Sequence, residues 1–372
     1  MIIKSLLLEG FRNYDFIETE FSTNVNIIAG NNAQGKTNLL EAIFYLTGGR
    51  SFRTVNDRDL IKFDKESANI SSIIYSGNRE QKIEAKLARG KRKQLFINGV
   101  RQKTAAALSG KLTAVLFYPD DLNIIRAGAS ERRKLMDTAL CQLRPRYAAA
   151  FSEFGRLYLQ KTRILRDYHE KPSLLEALDE YNYRLAQMSA ELIYYRAGFS
   201  QLLSEKSAEI HREFSGSADA LKITYQTVKT IDNPLQKPEK LLPMLLEHQQ
   251  SHKKAEIDSG LCLSGAHKDD LEVEINGTAA RHFASQGQAR TAALSIKLAE
   301  REIHFDDRGE YPVLLLDDVL SELDRSRQNF ILNRINEGQV FITCCEDEHI
   351  AERTGGMVIH VEDGQISLLK GG

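Results

Sequence analysis

The sequence predicts an α/β fold in which a head is split by a helical insertion. Three observations predict this fold. A glycine-rich loop stands between an apolar strand and a helix near residue 30. An apolar strand that ends in two carboxylates, at residues 312–318, follows about 280 residues later. Between these elements, residues 146–255 show mainly helical periodicity, which is typical of an inserted lobe.

The glycine-rich loop is the octapeptide Gly30-Asn31-Asn32-Ala33-Gln34-Gly35-Lys36-Thr37, which fits the pattern G-x-x-x-x-G-K-[ST]. It follows the apolar run 25–29 and precedes the helix-like segment 38–44. In this context backbone N–H groups surround phosphate oxygens, and the N-terminus of the helix favours the same anion. We expect the octapeptide to bind ATP, with Lys36 at the β- and γ-phosphates and the Thr37 hydroxyl on Mg²⁺.

The second half of the predicted site is the apolar run 312–316, which ends in Asp317 and Asp318. Such a run is typical of a strand that is buried on both faces of a parallel sheet. We expect Asp317 to hold Mg²⁺, directly or through water, and Asp318 to polarise the attacking water. Lys36, Asp317 and Asp318 are therefore the candidate catalytic residues. An ordinary core strand with acidic residues at its solvent end is the alternative if the run is considered alone.

A short polar motif, Ser285-Gln286-Gly287-Gln288, stands about 30 residues before the two aspartates. It opens a helix whose apolar positions recur as far as Ala299, and Ser285 is suited to be its N-cap. A simple capped helix does not explain the place of this motif before the aspartate strand. The sequence Ser-Glu-Leu-Asp follows at 321–324, and another buried-strand pattern follows at 339–343.

This order of motifs resembles the ABC-type ATPase heads of the SMC/Rad50 class, and it is most similar to the RecF family of bacterial recombination and repair mediators. The resemblance also includes Leu-Glu-Gly-Phe-Arg-Asn-Tyr at 8–14 and Ser-Gly-Ala-His-Lys-Asp-Asp at 264–270, so it spans nearly the whole chain. It implies an ATP-dependent DNA-binding protein of replication, recombinational repair and the SOS response, which helps to load recombinase at gapped or damaged DNA.

The resemblance implies further roles and partners. Ser285, Gly287 and Gln288 would contact the ATP held by the opposite subunit of a homodimer that forms with ATP. The implied cofactors are ATP and Mg²⁺, and the implied partners are single-stranded, duplex and junction DNA and mediators of the RecO/RecR type. Transporter-type heads carry Glu where this chain has Asp318, and His where it has Thr343-Cys344-Cys345. These departures imply a weak ATPase that uses slow hydrolysis as a switch.

A small-molecule or nucleotide kinase with a phosphate-binding loop is the alternative function. A kinase needs an acceptor pocket and an Arg-rich lid over the phosphates. The Ser285–Gln288 motif and the segment 321–324 have no role in such an enzyme. Particle size measured with and without ATP·Mg²⁺ separates the two functions, because a kinase has no reason to dimerise on its nucleotide.

The charge is nearly balanced overall, with 50 basic and 51 acidic residues, but it is unevenly distributed. Residues 1–150 contain 24 Lys and Arg against 15 Asp and Glu, which indicates a localised basic face. Lys91, Arg92 and Lys93 lie in the predicted turn between strands 81–88 and 94–98, where they could follow a DNA backbone without reading sequence. A solvated turn is the alternative, and the cluster 132–134 has the same two interpretations.

The insertion shows apolar residues at alternating spacings of four and three, from Tyr147 to Tyr168 and again from Leu174 to Phe199. Pro172 lies between the two series, so we predict a short, coiled-coil-like pair of antiparallel helices. A return strand is expected within 218–230, and another helix after Pro238. We divide the chain into a first part of the head (1–145), a helical lobe (146–255) and a second part of the head (256–372).

Composition excludes several classes of protein. The four cysteines show no C-x-x-C spacing, so neither a zinc site nor a secreted disulfide framework is indicated. We expect Cys344 and Cys345 to be buried at the end of a strand. No signal peptide is evident, and no apolar run approaches the roughly 20 residues of a membrane helix. We therefore expect a cytoplasmic protein that does not associate with membranes.

Overall fold

The computed structural model describes residues 1–216, 219–345 and 353–369. The chain forms two compact units, which we call the head unit (Met1–Leu122 and Lys297–Gly372) and the helical unit (Asn123–Ile296). The head is therefore discontinuous in sequence, as predicted. The finer division at 145/146 and 255/256 stays a prediction.

The head unit is built mainly of strands in its first part and of alternating strands and helices in its second part. Its elements before the helical unit are β1 (Ile2–Phe11), β2 (Tyr14–Glu20), β3 (Val25–Ala29), α1 (Lys36–Gly48), β4 (Ser67–Ser76), β5 (Arg79–Ala88), β6 (Gln94–Ile97), β7 (Val100–Gln102) and β8 (Ala114–Phe117). Among these elements, β3, α1, β5 and β6 correspond to the strands 25–29, 81–88 and 94–98 and to the helix that the sequence predicted.

The helical unit is built mainly of helices and also contains a small sheet. Its elements are α2 (Ala129–Leu143), α3 (Pro145–Asp167), α4 (Leu178–Ser215), β9 (Leu221–Gln226), α5 (Pro238–Ser259), β10 (Asp270–Ile275), β11 (Thr278–Ala279) and α6 (Ala280–Phe283). The chain then continues through α7 (Gln286–Arg308), β12 (Val313–Leu316), α8 (Arg325–Arg334), β13 (Val340–Cys344), β14 (Met357–Glu362) and β15 (Gln365–Leu369).

The described strands of the head unit form two six-stranded sheets. The antiparallel sheet has the order β2-β1-β4-β5-β6-β7, and the mixed sheet has the order β15-β14-β3-β13-β12-β8. In the mixed sheet β3, β13, β12 and β8 are all parallel neighbours, and β3, β12 and β8 are buried throughout. Their carboxyl ends therefore meet at one edge, which is where a parallel sheet presents its ligand-binding loops.

The predicted antiparallel helix pair is α3 and α4. Arg146 of α3 lies against Glu191 of α4, whereas Glu153, further along α3, lies against Arg184, earlier in α4. The two helices therefore run in opposite directions. The turn between them contains Pro172, as the sequence predicted, and it includes a short 3-10 helix, Pro172–Ala177, that was not predicted. At 38 residues α4 is about 57 Å long, because it continues beyond the predicted seam to Ser215.

The small sheet of the helical unit has the order β11-β10-β9. β9 is the predicted return strand, although residue 218 of the predicted range lies outside the described residues. α5 begins at Pro238, where the fixed φ of proline suits the first turn of a helix. Of the helices that the structure describes, none combines the length and the apolar composition that crossing a membrane requires.

Candidate nucleotide site in the head unit

Three polar side chains that are far apart in sequence meet at the carboxyl edge of the mixed sheet. The Thr37 hydroxyl donates a hydrogen bond to Asp317 Oδ1 at 3.0 Å, and the Thr343 hydroxyl donates to the same oxygen at 2.9 Å. Thr37 lies in α1, at the end of the loop that follows β3; Asp317 directly follows β12, and Thr343 lies within β13. The strands β3, β13 and β12 are neighbours in the sheet. The sequence predicted that Thr37 and Asp317 would act together, but it gave Thr343 no role.

The glycine-rich loop is held in place by the turn between β1 and β2. Asn13 Nδ2 donates to the Gln34 carbonyl at 2.8 Å, and the Tyr14 hydroxyl donates to the Gly35 carbonyl at 3.0 Å. Gly35 has φ +124°, and a Cβ atom there would lie 2.8 Å from Asn13 Nδ2 and 2.9 Å from the Tyr14 hydroxyl. Glycine is therefore required at position 35 for both backbone conformation and space.

Lys36 is buried and lies across its own loop. Its ammonium donates to the Gly30 carbonyl at 2.5 Å and to the Asn31 carbonyl at 3.1 Å, and it lies 3.5 Å from Cys345 Sγ. Cys345 is exposed and Cys344 is half-buried, so the expectation that both are buried is wrong. Strand β13 ends at Cys344, and Cys345 lies beside the loop, where its thiol donates to Asn32 Oδ1 at 3.1 Å.

The two aspartates occupy different environments. Asp317 is 5% exposed, whereas Asp318 is half-buried at the end of the strand. Asp318 has φ +50°, a left-handed conformation that aspartate adopts more readily than most residues other than glycine. Its backbone N–H donates to the Thr343 hydroxyl at 2.8 Å. Thr343 therefore contacts both aspartates. Its hydroxyl donates to the Asp317 side chain and accepts from the Asp318 backbone N–H.

Burial raises the pKa of Asp317, and the hydrogen bonds from Thr343 and Thr37 oppose that rise. In the described residues Asp317 has no salt bridge to a cation. A hydroxyl and a carboxylate side by side match the hard oxygen ligands of Mg²⁺, which commonly takes one or two protein oxygens and fills its other positions with phosphate and water. Thr37 and Asp317 therefore fit a magnesium ion that also contacts a nucleotide.

The motif Ser285-Gln286-Gly287-Gln288 lies in the helical unit and begins α7. Ser285 Oγ accepts a hydrogen bond from the Gln288 backbone N–H at 3.2 Å, and Gln288 Oε1 accepts one from the Ser285 N–H at 3.1 Å. This reciprocal pair is a capping box. Gln288 also donates to the Asp219 carboxylate at 3.2 Å. Ser285 itself is exposed.

The basic turn between β5 and β6 contains residues with different contacts. Lys91 and Arg92 are exposed, and within the described residues neither makes a salt bridge. Lys93 instead donates to the Gly49 carbonyl at 2.5 Å, pairs with Asp57 at 3.0 Å and lies over the Tyr45 ring. Lys93 therefore anchors the turn, and Lys91 and Arg92 are presented at its tip.

The second basic cluster, at 132–134, is largely structural. Arg132 is buried and makes a two-point ion pair with Asp270 at 2.7 and 2.8 Å. Arg133 donates to the Asp269 carbonyl at 2.6 Å. Arg132 is withdrawn from solvent, and Arg133 is half-buried. The sequence could not distinguish these arginines from those of a solvated helix, because both patterns place basic residues in a first turn.

The sequence analysis missed Asn13, Tyr14 and Thr343 as parts of the site. Asn13 and Tyr14 belong to the segment 8–14 that carried the family resemblance, so a signal was present but had no assigned chemistry. Thr343 was noted only at the end of a buried-strand pattern and in the segment that stands where transporter-type heads carry His, and no contact was assigned to it. Its role depends on β13 lying beside β12, which the order of elements along the chain does not specify.

Comparison with known proteins agrees with this fold. The family described as RecF/RecN/SMC N terminal domain matches residues 2–367. The chain is 38% identical over 367 residues to the DNA replication and repair protein RecF of Acetivibrio thermocellus, with 98% of this chain and 99% of that protein covered. It is also 38% identical over 374 residues to the protein of the same name from Listeria innocua, at 98% and 99% coverage.

Solved structures give the same result. Structures of the recombination mediator protein RecF in the RecFOR pathway, as RecF-ATPrS and RecF-ATP, superpose with TM-scores of 0.91 and 0.90 at 31% identity and cover 99% of this chain and 98% of theirs. An Smc head domain from Pyrococcus furiosus, at 17% identity, TM-score 0.55 and coverage of 99% and 96%, shares the fold. The chain belongs to the RecF family of DNA replication and repair proteins, with the ABC-type ATPase head fold of the RecF/RecN/SMC group.

Proposed function

We propose that this protein is an ATP-dependent DNA-binding switch of replication and recombinational repair. ATP and Mg²⁺ binding pairs two copies on DNA, and slow hydrolysis releases them. Support comes from the names of the relatives, which are DNA replication and repair proteins, and from the solved RecF-ATP complex. The role in loading recombinase at gapped or damaged DNA, with mediators of the RecO/RecR type, is proposed on the same family relationship.

The observation that carries the proposal is the meeting of Thr37, Thr343 and Asp317 beside the glycine-rich loop. A carboxylate that is 5% exposed and hydrogen-bonded by two hydroxyls, with no cation paired to it among the described residues, is costly to keep ionised. A magnesium ion would neutralise that charge and the charge on the phosphate oxygens together. The arrangement is therefore better explained by a nucleotide site than by core packing alone.

Each residue has a defined task in the proposed site. The amides of residues 30–37 and the Lys36 ammonium bind the phosphates, and Lys36 exchanges its loop carbonyls for phosphate oxygens. Thr37 and Asp317 hold Mg²⁺. Asp318, with its backbone fixed by Thr343, orients the attacking water. The side chain of Asp318 is one methylene shorter than Glu, so water is held less closely and hydrolysis is slow.

The proposed dimer has two-fold symmetry, and each ATP contacts both chains. Ser285 is exposed at the start of α7, and its hydroxyl and the first amides of that helix are suited to a γ-phosphate from a second copy. Gly287 keeps this approach free of a side chain, and Gln288 holds the capping box. ADP lacks the γ-phosphate, so it should not support pairing.

The proposed DNA contacts are phosphate contacts at the tip of the β5–β6 turn. Lys91 and Arg92 are exposed and have no salt bridge within the described residues, so they can neutralise a DNA backbone at little cost. Lys93 is proposed as the anchor of the turn rather than as a DNA contact, because Asp57 already pairs with it.

Light scattering in the presence of ATP·Mg²⁺ or ADP·Mg²⁺ tests the shared nucleotide. The parent should dimerise with ATP and stay monomeric with ADP. Ser285→Arg should bind ATP yet stay monomeric, since a long cation would fill the space that the hydroxyl leaves for phosphate. Asp318→Asn should prolong the dimer by slowing hydrolysis.

Ser130→Arg is the matched control, because Ser130 is also an exposed serine in the first turn of a helix of the same unit. It should dimerise as the parent does. The proposal fails if Ser285→Arg dimerises normally with ATP or if the parent dimerises equally with ADP. A kinase would remain monomeric in every sample.

A further inference from the structure

The segment 264–270, one of those that carried the family resemblance, contributes to a cavity in the helical unit that has no part in the nucleotide site. The cavity has a volume of about 420 Å³ and is open to solvent. Small-molecule sites occupy roughly 300–1,000 Å³, so this one could hold a phosphate group with part of the compound to which it is attached.

The lining of the cavity has one sign of charge. Lys229, Lys268, His248 and His252 line it together with three hydroxyl side chains and two apolar ones, and no carboxylate is among the described lining residues. A cleft lined by basic groups alone concentrates field lines and attracts anions. Lys229 and Lys268 are exposed, and neither makes a salt bridge within the described part of the chain.

The nearby carboxylates already have partners. Asp269, next to Lys268 in sequence, accepts hydrogen bonds from Arg196 at 2.7 Å and from Thr227 at 2.7 Å. Glu256 pairs with Lys161 at 2.7 Å, and both side chains are fully buried. These two carboxylates therefore do not supply a counter-charge to the basic groups of the cavity.

The two histidines are held so that one nitrogen of each remains for a ligand. Their rings stack with centroids 4.1 Å apart, one helical turn apart on α5. His248 Nδ1 lies 2.7 Å from Ser264 Oγ, and His252 Nδ1 lies 2.9 Å from the His248 carbonyl. Because Nδ1 is engaged in both rings, Nε2 is the atom that can meet a ligand. Burial lowers the pKa of His248, and His252 lowers it further, while Glu256 opposes both effects.

The lysine at the other side of the cavity stands on a rigid turn. The Lys268 backbone N–H donates to the Gly265 carbonyl at 3.0 Å. Ser264 and Asp269, on either side, are fully buried and hydrogen-bonded. Thr227, a lining residue, is tied to the same turn through Asp269. The cavity is therefore built from fixed parts, which lowers the entropic cost of binding.

We propose that this cavity binds a phosphate group, with Lys229 and Lys268 as charge partners and the Nε2 atom of His248 as a hydrogen-bond donor. Phosphate offers several acceptor oxygens and a negative charge to this set of donors. The group belongs either to a DNA strand or to a free phosphate compound. The existence of the site goes beyond the proposed function. Only the assignment of the phosphate group to a DNA strand rests on that proposed function.

The first arm of the test detects phosphate at this cavity, separately from the glycine-rich loop. Ring ¹H–¹³C NMR signals of His248 and His252 in the full chain are followed during titration with inorganic phosphate, against sodium chloride at the same ionic strength. We expect phosphate to shift both signals, and expect Lys229→Gln/Lys268→Gln to weaken that response about tenfold or more.

Lys240→Gln/Lys254→Gln is the matched control, because it makes the same charge change at two exposed lysines of α5 that do not line the cavity. It should respond to phosphate as the parent does. The proposal is overturned if phosphate moves neither ring signal beyond the chloride effect, or if the cavity variant responds as fully as the control. Both variants remove exposed side chains, so each should fold.

The second arm identifies the source of the phosphate by comparing both variants for binding to one oligonucleotide with and without a 5′-phosphate. A loss of DNA affinity that is about tenfold larger in the cavity variant than in the control assigns the site to a DNA phosphate. Equal affinities, with the ring shifts of the first arm intact, assign it to a free phosphate compound. Failure of ATP-driven pairing would leave the first arm unaffected, so the two proposals can fail separately.

Discussion

Buried charge is compensated around Arg196 in the helical unit and left open at Asp317 in the head unit. Arg196 of α4 is 2% exposed, and its guanidinium contacts Asp137, the Tyr147 hydroxyl, the Ala266 carbonyl and Asp269 at 2.6–3.1 Å. Tyr225 donates to Asp269 at 2.5 Å. This network joins α2, α3, α4 and the segment before β10 by charge-assisted hydrogen bonds.

Asp317 of the head unit is almost as buried but has a different set of neighbours. It is hydrogen-bonded by the hydroxyls of Thr37 and Thr343, and Asp318 lies next to it with a second carboxylate. No cation forms a salt bridge with Asp317 in the described residues. Burial raises the pKa of Asp317, because a carboxylate is costly to ionise away from water.

The difference separates structural charges from functional ones. A buried charge whose partners come from the same unit stabilises that unit only when every partner is present, because removing one leaves the others uncompensated. A buried charge without a counter-ion is instead a feature expected of a ligand site. Burial alone therefore does not identify a functional residue, and its pairing must be considered as well.

The largest expected effect comes from breaking the compensated network around Arg196. Arg196→Met should lower the free energy of unfolding by about 3–5 kcal/mol, because Asp137 and Asp269 would stay buried without their cation. Chemical denaturation measures this loss. Arg184→Met, on the same helix but 43% exposed, is the control and should change stability by less than about 1 kcal/mol. Equal effects of the two substitutions would contradict the structural role of Arg196.

His267 gives the second effect, which depends on pH. Burial lowers the pKa of His267 to about 4, while its Nε2 lies 2.9 Å from the Cys262 carbonyl. The native state then binds fewer protons than the unfolded state between pH 6.5 and 4, so stability falls as pH falls, by about 3 kcal/mol over that range. His267→Phe should lose correspondingly less on acidification, and exposed His282→Phe should behave as the parent. Identical pH profiles for all three proteins would refute the assignment.

In the nucleotide site of the head unit, Lys36→Met should weaken ATP binding by about 1.5–3 kcal/mol. This is the contribution of one charge-assisted hydrogen bond. Isothermal titration calorimetry measures the change. Lys82→Met, at an exposed lysine of β5, should bind ATP with the parent affinity. The role of Lys36 would be wrong if its variant also bound ATP as the parent does.

Asp317→Asn sharpens the comparison, because it removes a buried charge that has no counter-ion. Without nucleotide the variant should be as stable as the parent or more stable, with a gain of up to about 2 kcal/mol. ATP·Mg²⁺ should then raise the unfolding temperature of the parent more than that of the variant. A loss of stability comparable to that of Arg196→Met would show that Asp317 is structural.

The smallest expected effect concerns the basic turn. Lys91→Ala/Arg92→Ala should make the slope of log DNA affinity against log salt shallower by about 1.8, at about 0.9 per phosphate contact. Lys93→Ala should leave the slope unchanged but lower stability, since it removes the contacts with Gly49 and Asp57. If all three substitutions change the slope equally, the anchor role of Lys93 is wrong.

The elements that were predicted from sequence are those that depend on neighbours in the chain. The strand 25–29 has the bounds that its apolar run indicated, the glycine-rich loop leads into a helix as expected, and another helix begins at Pro238. The capping box of Ser285 and Gln288 also follows from their spacing of three residues. Such features were predictable because a hydrogen bond or a repeating apolar face within one segment is written in consecutive residues.

The partners of the buried charges could not be predicted from consecutive residues. Thr343 reaches Asp317 because β13 lies beside β12, Asn13 reaches the loop from the β1–β2 turn, and Arg196 meets Asp269 73 residues away. A basic residue in an amphipathic helix looks the same in sequence whether it faces water or a carboxylate. Its environment is set by which elements pack against it, and the free energy of burying a charge depends on that packing rather than on local sequence.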